Sequence, residues 1–346
     1  LGLILVQEDQ KSLKYEVLLM RLRLVPNDTS INFFGRLKAA VWFSVIAIIL
    51  SVIFYGFNGL NYGIDFRGGT MLMIKAPAET SIIEVRKTLK KLDLGDTTVT
   101  EVSDPATVLI NKSNQPMYLI KIEQQAGNEE VQNEMIINVK NNLEDALSSV
   151  SFLQTESVGS KVSGELVQKA ILAVCLAVFA VLFYIWIRFE WQFSLGAVLA
   201  LIHDVIITIG IFSFIGLEFN LSIIAALLTI VGYSLNDTVI VFDRIRENLK
   251  QFQSKPLIDL LNKSINDTLS RTVMTSVTTL LALIALYIVG GEVIRGFTFA
   301  MIWGVLIGTY SSIFIASAIL LRLGVKRDWS SSGSGGPGTN FGNFDQ

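Results

Sequence analysis

Long apolar runs separated by short polar segments dominate the chain from residue 39 onward. A helix that crosses about 30 Å of hydrocarbon needs ~20 mostly apolar residues. Six stretches reach that length, at about 39–60, 166–187, 193–217, 221–243, 271–290 and 295–321. A buried core helix can mimic one such stretch, but hardly six with short connections. The pattern therefore predicts a polytopic α-helical membrane protein with six transmembrane helices.

The six predicted spans divide the chain unevenly. A mostly polar segment, residues 61–165, follows the first span, whereas the other five spans form a block at 166–323. Residues 1–38 precede the first span, and a polar loop at about 244–270 interrupts the block. The pattern therefore predicts a separate domain after the first helix.

Lysine and arginine lie mainly on one side of the predicted membrane. They cluster before span one, in the 244–270 loop and after span six, whereas the loops at 217–221 and 290–295 contain only Arg295 between them. Cytoplasmic loops carry an excess of these residues. Both termini are therefore predicted to be cytoplasmic, and residues 61–165 to be external.

Alternating strand and helix patterns fill the external segment. Residues 81–92 and 129–147 place apolar side chains at helical spacing, and Ser81 with Glu84 forms a capping-box pattern. Runs of strand formers occur at 70–76, 98–102, 107–111, 117–123 and 151–158. The order β-α-β-β-α-β, with room for one extra hairpin strand, predicts a small α+β, ferredoxin-like domain.

The two ends of the chain differ from the rest. After Trp329 the sequence is rich in glycine and serine, a composition typical of a flexible coil. Residues 324–346 are therefore predicted to be a flexible tail, either native or a linker remnant. The chain begins with Leu1 rather than Met, and Met20 is a candidate start.

Composition agrees with the membrane prediction. Hydrophobic residues make up 51% of the chain, charged residues 17%, and the mean hydropathy is +0.53, which excludes an ordinary soluble domain. The net charge of −2 gives no sign of nucleic-acid binding. Cys175 is the only cysteine and His203 the only histidine. We therefore expect no disulfide, metal site or cofactor.

The fourth span contains an acid where lipid is expected. The motif GYSLNDTVIVFDRIREN, residues 232–248, places Asn236 and Asp237 inside the span. An ionised side chain in hydrocarbon is costly, so such an acid is by default a functional residue with a partner. The predicted partner is Arg271, at the start of the next span. A proton-relay site and a static pair that joins two helices are both consistent with this arrangement.

Polar side chains extend from this pair along both helices. Tyr233, Asp237 and Arg244 follow one helical stripe of the fourth span. On the fifth span, the face that begins at Arg271 continues with the hydroxyl side chains of Thr275, Thr278 and Thr279. Thr272 and Ser276 lie next to this face. A hydroxyl-lined face supports bound water or hydrogen bonds between helices. Small rearrangements around Asp237 would then switch its protonation, as a proton relay requires.

Two further groups of polar residues are candidates. His203 and Asp204 lie near the middle of the third span, where they are either packing residues or part of a relay. Their side chains point roughly 100° apart, so they should face different neighbours. At the end of the first span lie Asp65, Arg67, Gly68 and Gly69. A boundary turn explains the two glycines, but it explains the two charges less well.

Six motifs together carry a resemblance to a known family. They are FRGG (66–69), VGSKVSGEL (158–166), RFEW (188–191), HDV (203–205), GYSLNDTVIVFDRIREN (232–248) and RTVMTSVTTL (271–280). In this order, with one external domain after the first span, they resemble the SecD/SecF family of protein-export membrane proteins, and its SecF members in particular. The resemblance covers about residues 30–323.

The resemblance implies an RND-type half-transporter of six helices, completed by a homologous six-helix partner, SecD. In that family the pair works beside the SecY–SecE–SecG channel, often with YajC, in the bacterial inner membrane. Late in translocation, the pair uses the proton gradient to draw preproteins through the channel from the periplasmic side. Asp237 and Arg271 fall at the positions that the family uses for proton passage. The implied partners are thus these proteins, the preprotein, protons and lipid, and the implied role is transport rather than enzymatic catalysis.

Two other functional classes fit parts of the pattern. One is an RND-type exporter half for lipid or small molecules, although such chains usually contain two six-helix halves and larger external domains. The other is a passive membrane scaffold, in which Asp237 would be only structural. Loss of proton-coupled activity on replacement of Asp237 distinguishes a transporter from a scaffold, and the identity of the partner and substrate distinguishes the exporter.

Overall fold

The computed structural model describes residue 26 and residues 29–102, 115–125, 129–147 and 149–325. The helices are α1 (Leu37–Asn58), α2 (Ile64–Arg67), α3 (Ile82–Lys90), α4 (Glu129–Ala146), α5 (Ser160–Arg188), α6 (Trp191–Ile215), α7 (Leu221–Gln251), α8 (Leu257–Val289), α9 (Glu292–Ser311) and α10 (Ser317–Leu323). The strands are β1 (Asn61–Tyr62), β2 (Gly69–Lys75), β3 (Thr97–Val102), β4 (Met117–Glu123), β5 (Ser151–Val158) and β6 (Glu218–Phe219).

Three predicted features fall outside the described residues. They are the strand at 107–111, nearly all of the tail at 324–346, and most of the segment at 1–38. The beginning of α1 is preceded by a short 3-10 turn, and a π-helical segment, Ser312–Ala316, joins α9 to α10.

The prediction of six membrane-crossing helices is confirmed. Six helices among the described residues are long and apolar enough to span a bilayer: Phe34–Asn58, Lys161–Arg188, Trp191–Ile215, Leu221–Gln251, Leu257–Val289 and Glu292–Leu323. Half or more of the apolar window is buried in the third, fourth and sixth of these helices, compared with 11% in the other three. The bundle therefore has an inner layer of α6, α7 and α9, with α1, α5 and α8 outside it.

The predicted loop at 244–270 is mostly helical. Helix α7 continues to Gln251 and α8 begins at Leu257, which leaves a short connection between them. The helices continue because buried apolar residues on both sides pack together beyond the predicted span ends, among them Leu249, Leu260 and Ile265. Charged side chains on the outer faces of these extensions had suggested a loop.

The described residues between 69 and 158 form an α+β module beside the bundle. Its four strands are antiparallel in the order β3-β4-β2-β5, which is the order of a split βαβ fold. Helices α3 and α4 pack on the sheet around a core that includes Leu72, Ile120, Val139 and Leu143. Ser81 caps α3 by accepting a 3.3 Å hydrogen bond from the Glu84 backbone N–H. The location of the module outside the membrane stays a prediction.

We expect the module, expressed as residues 61–165, to fold without the membrane domain. Leu143→Ala should lower its free energy of unfolding by about 2–5 kcal/mol, because it leaves a cavity where Leu143 is 0% exposed. The matched control Ile137→Ala, on the same helix but 58% exposed, should change it by less than about 0.5 kcal/mol. Circular dichroism should show helix and strand together with one cooperative transition. A disordered fragment would contradict the prediction.

Candidate functional site

Asp237 lies inside α7 and its relative exposure is 0%. Its Oδ1 atom accepts a weak hydrogen bond of 3.4 Å from the Asn236 side chain. Its Oδ2 atom has no hydrogen-bond partner among the described residues. Buried polar atoms without a partner are rare, and each one calls for an explanation such as a water molecule or a functional role. Asp237 is therefore a buried but poorly satisfied acid.

The predicted ion pair between Asp237 and Arg271 does not form. The side chain of Arg271 is exposed, and it acts on Asp237 only through the Coulomb attraction between opposite charges. The expectation of direct contact was wrong because α8 turns a different side toward the bundle. Thr272 and Ser276 are buried there, and the Ser276 hydroxyl lies 2.7 Å from that of Thr309 on α9.

The predicted hydroxyl face of α8 points away from the bundle. Thr278 is exposed, and Thr275 and Thr279 are half-buried. The hydroxyls of Thr275 and Thr278 donate to carbonyl oxygens of their own helix, so of the two predicted roles they do not form hydrogen bonds between helices. The other role, support of bound water, stays a prediction. With the exposed Asn236 and Arg271, these two threonines form what we call the outer polar surface (Asn236, Arg271, Thr275 and Thr278). The buried carboxylate of Asp237 lies beside it.

The predicted stripe on α7 separates into two environments. Tyr233 lies one turn before Asp237, and its buried hydroxyl has no hydrogen-bond partner among the described residues. Arg244 instead belongs to the end of the helix, where it forms ion pairs with Asp267 on α8 at 2.8 Å and with Glu247 at 2.7 Å. Arg244 therefore fixes α7 against α8 and does not contribute to the environment of Asp237.

Asp204 differs from Asp237 because its carboxylate is fully hydrogen-bonded. Its Oδ2 atom accepts hydrogen bonds of 2.7 Å from Ser234 on α7 and from Ser311 on α9. Its Oδ1 atom lies 2.9 Å from Nδ1 of His203. The side chain is 0% exposed. Three donors around one buried carboxylate hold α6, α7 and α9 together, as the high cost of an unpaired polar group in hydrocarbon requires.

His203 extends this network to the first helix. Its Nε2 atom lies 3.0 Å from the hydroxyl of Ser44 on α1, which in turn lies 3.0 Å from the hydroxyl of Tyr310. Tyr310 then donates a 2.7 Å hydrogen bond to the Ala40 carbonyl. His203 and Asp204 thus face different neighbours, as predicted from their angular separation, but they also contact each other. We call the residues Ser44, His203, Asp204, Ser234, Tyr310 and Ser311 the buried network.

Asp65 has a structural role that the sequence did not suggest. Its Oδ2 atom accepts a 2.9 Å hydrogen bond from the backbone N–H of Leu221, the first residue of α7. A carboxylate at this position satisfies a free N–H group and interacts favourably with the helix dipole. Asn220 caps the same helix end through the N–H of Ile223. The segment after α1 therefore holds the beginning of the helix that carries Asp237.

Gly68 and Gly69 make the turn into the central strand β2. Their φ angles are +77° and +135°, in the region that favours glycine. A Cβ atom at Gly69 would also approach the Ile122 carbonyl of β4 to 2.5 Å. Arg67 is exposed beside this turn and lines a polar cleft between the module and the bundle. These glycines thus allow a sharp reversal directly after Asp65.

The described residues contain no group of three or more His, Cys, Asp or Glu side chains placed to bind a metal ion. The acids buried inside the bundle can be compared by their contacts. Asp237 has an oxygen without a hydrogen-bond partner among the described residues and a positive charge nearby, whereas both oxygens of Asp204 are hydrogen-bonded.

Sequence reasoning missed the serines of the buried network and the capping role of Asp65. Ser44, Ser234 and Ser311 are small hydroxyls in apolar spans, where serine is a common packing residue. Their spacing carries no signal of a shared partner. The only available signal was Asp204 itself, since a buried carboxylate at that depth requires several donors.

Two stretches of the chain match protein-family models. Residues 138–326 match the family described as Protein export membrane protein SecD/SecF, C-terminal, and residues 56–75 match the SecD/SecF GG Motif. The chain is 46% identical to the protein translocase subunit SecF of Cereibacter sphaeroides, over 94% of this chain and 99% of that one. It is 48% identical to the SecF subunit of Ketogulonicigenium vulgare, over 93% and 98% of the two chains.

A solved structure is also similar. The crystal structure of SecDF from Thermus thermophilus, a translocon-associated membrane protein, aligns with a TM-score of 0.75 and 35% identity over 87% of this chain. The chain spans 39% of the length of that SecDF chain.

We expect Ser311→Ala to destabilise the bundle, because it removes one of the donors to the buried Asp204 carboxylate. The loss should be about 1–2 kcal/mol, measured as reversible unfolding of the purified protein in mixed micelles. Thr229→Ala is the matched control, since the exposed Thr229 hydroxyl donates only to the Ala225 carbonyl of its own helix. Equal stabilities of the two variants would contradict the assignment of Ser311 to the network.

Proposed function

Because the chain is a SecF-type member of the SecD/SecF family of protein-export membrane proteins, we propose that it acts with SecD and uses the proton gradient to promote a late stage of preprotein translocation. The chain is a subunit of the Sec protein-translocation pathway and a multi-pass protein of the bacterial inner membrane. Its relatives are translocase subunits, so its role is that of a transport component.

The observation that carries the proposal is the state of Asp237. Its side chain is fully buried, yet one carboxylate oxygen has no protein donor among the described residues. A carboxylate that only needs structural support would be surrounded by donors, as Asp204 is. The free oxygen of Asp237 is available to take up and release a proton, and Arg271 stabilises the charged form from a distance.

The outer polar surface supports the proposed partner. Arg271 and Thr278 are exposed on α8, which is apolar from Leu280 to Val289, and Asn236 is exposed on α7 beside Asp237. Charged and polar side chains in a membrane face protein or water rather than lipid. A second membrane subunit that covers this surface would supply the missing environment, and the homologous SecD is the simplest candidate. YajC and the SecY–SecE–SecG channel are proposed as further members of the complex.

The proposed orientation places both termini in the cytoplasm and the α+β module in the periplasm. The positive side chains near the end of α7 and the beginning of α8 support this orientation. In the periplasm the module would contact the emerging preprotein and contribute to drawing it through the channel.

Asp237→Asn tests the proton-carrying role. The variant keeps the size of the side chain but cannot titrate, so it should fold, insert and bind its partners. Export stimulated by the proton gradient should fall to the level measured without the protein. Asp243→Asn is the matched control on the same helix, because Asp243 is 43% exposed and pairs with Arg188. Full stimulation by Asp237→Asn would show that Asp237 does not carry the proton.

Arg271 should tune the acid rather than bind it directly. Arg271→Lys keeps the charge and should retain partial gradient-stimulated export, whereas Arg271→Ala should retain much less. Arg295→Lys serves as a control, since Arg295 pairs with Glu292 at the other end of the bundle. If both Arg271 variants support as much gradient-stimulated export as the wild type, Arg271 does not tune Asp237 and is only one of the positive residues at the cytoplasmic side of the membrane.

Cysteine crosslinking tests the partner surface. After replacement of the exposed Cys175, cysteines at Thr275 or Thr278 should crosslink in native membranes to the acid-bearing helix of SecD. A cysteine at Ile171, which is 60% exposed on α5, serves as the control and should not. Crosslinks that join only copies of this chain would indicate a homo-oligomer and contradict the proposed pairing.

A further inference from the structure

The segment after α1 and the loop before α7 are joined into one junction. Strand β1 pairs in parallel with β6, so that Asn61 lies opposite Glu218. The N–H of Gly63 donates a 2.9 Å hydrogen bond to the Phe219 carbonyl, and the rings of Phe66 and Phe219 stack with centroids 6.0 Å apart. We call the residues 61–67 and 218–221 the junction. It connects two parts of the chain that are more than 150 residues apart.

The junction holds the first turn of α7. Asp65 accepts a hydrogen bond from the N–H of Leu221, the first residue of that helix. Asp237 lies 16 residues farther along α7, which corresponds to roughly 24 Å at 1.5 Å per residue. One continuous helix therefore connects the junction to the proposed proton site.

The junction also contacts the sheet of the module. Glu218, in β6, forms an ion pair with Lys121, in β4. A Cβ atom at residue 63 would approach the Glu218 carboxylate to 2.5 Å, so glycine at this position makes room for it. Both partners of the ion pair are about one quarter exposed. The pair is thus a side-chain link between the loop before α7 and the centre of the sheet.

This ion pair supplements the covalent connections between the bundle and the module. The chain runs from the junction into β2 through Gly68 and Gly69, and Gly69 already pairs with Glu123 of β4 and Val158 of β5. The second covalent connection runs from β5 through Gly159 into α5. The Lys121–Glu218 pair adds a noncovalent link from the loop before α7 to β4.

We propose that Asp65 and the Lys121–Glu218 pair are positioning residues that couple α7 to the module. A displacement of α7 that accompanies a change of protonation at Asp237 is transmitted through the junction to β2 and β4. The module then moves with the helix. This inference rests on the proposed function, because it assigns the proton site and the module to the two ends of one mechanical path.

Charge exchange tests the ion pair. Lys121→Glu and Glu218→Lys should each lower gradient-stimulated export roughly fivefold or more, the lower limit of ordinary coupling factors. The double variant, with the charges exchanged, should recover most of the stimulation. Lys169→Glu is the control, because it breaks the exposed pair with Glu165 on α5 and should have no effect. The proposal would be overturned if the single variants kept full gradient-stimulated export, or if the double variant did not recover it.

The role of Asp65 is tested by separating its hydrogen bond from its charge. Asp65→Asn keeps an acceptor oxygen for the Leu221 N–H and should retain stimulation, whereas Asp65→Ala should lose it. Equal activity of the alanine variant and the wild type would overturn the role of Asp65.

A distance measurement distinguishes coupling from a merely structural role. In protein without Cys175, fluorophores are attached at Ile83 of the module and Ile171 of α5, which are 72% and 60% exposed. With SecD in liposomes, a proton gradient should change the energy transfer between them. The change should disappear in Lys121→Glu, return in the charge-exchanged variant and be absent in Asp237→Asn. An unchanged response in Lys121→Glu would contradict the coupling.

The same measurements keep the two proposals apart. If Asp237→Asn abolishes export but the single charge reversals leave both export and energy transfer intact, the proton site stands and the coupling proposal is wrong. If Asp237→Asn leaves export intact while the charge reversals abolish it and the exchange restores it, the coupling stands and the proton assignment is wrong.

Discussion

A polar group inside the hydrocarbon of a membrane must find its partners within the protein, because lipid offers none. Asp204 and Asp237 meet this constraint in opposite ways. The carboxylate of Asp204 is surrounded by His203, Ser234 and Ser311, and these contacts join three inner helices. The carboxylate of Asp237 has one weak contact to Asn236 and one free oxygen. The first acid therefore organises the bundle, and the second is available for chemistry.

Helix α7 connects these features. The junction holds its beginning through Asp65, the buried network holds its middle through Ser234, and Arg244 pairs its far end with α8. Asp237 lies one turn after Ser234, so this poorly satisfied acid is on a helix with contacts at its beginning, middle and end. Under the coupling proposed above, a change of charge at Asp237 would act on this helix and through it on the α+β module. This arrangement suits the conversion of proton uptake into movement.

The sequence predicted what depends on hydrophobicity and on isolated rare residues. Apolar length identified the six helices, and strand and helix patterns identified the order of elements in the module. The depth of Asp237 in an apolar run identified it as a candidate site. The contact with Arg271 was predicted wrongly, because hydropathy does not determine how α8 is rotated about its axis. The Ser276–Thr309 contact favours the rotation that leaves Arg271 exposed. The hydrogen bond from the Leu221 N–H to Asp65 joins residues that are far apart in the chain, so no local sequence pattern predicts it.

The central claim is that Asp237 changes its protonation when the proton gradient drives export. Infrared difference spectroscopy of the complex with SecD in liposomes, recorded with and without an imposed gradient, observes this change directly. The account predicts that the wild type gains and loses a protonated carboxyl band that is absent from Asp237→Asn and retained in Asp204→Asn. A band that persists in Asp237→Asn, or a wild type that shows no carboxyl change, would contradict it.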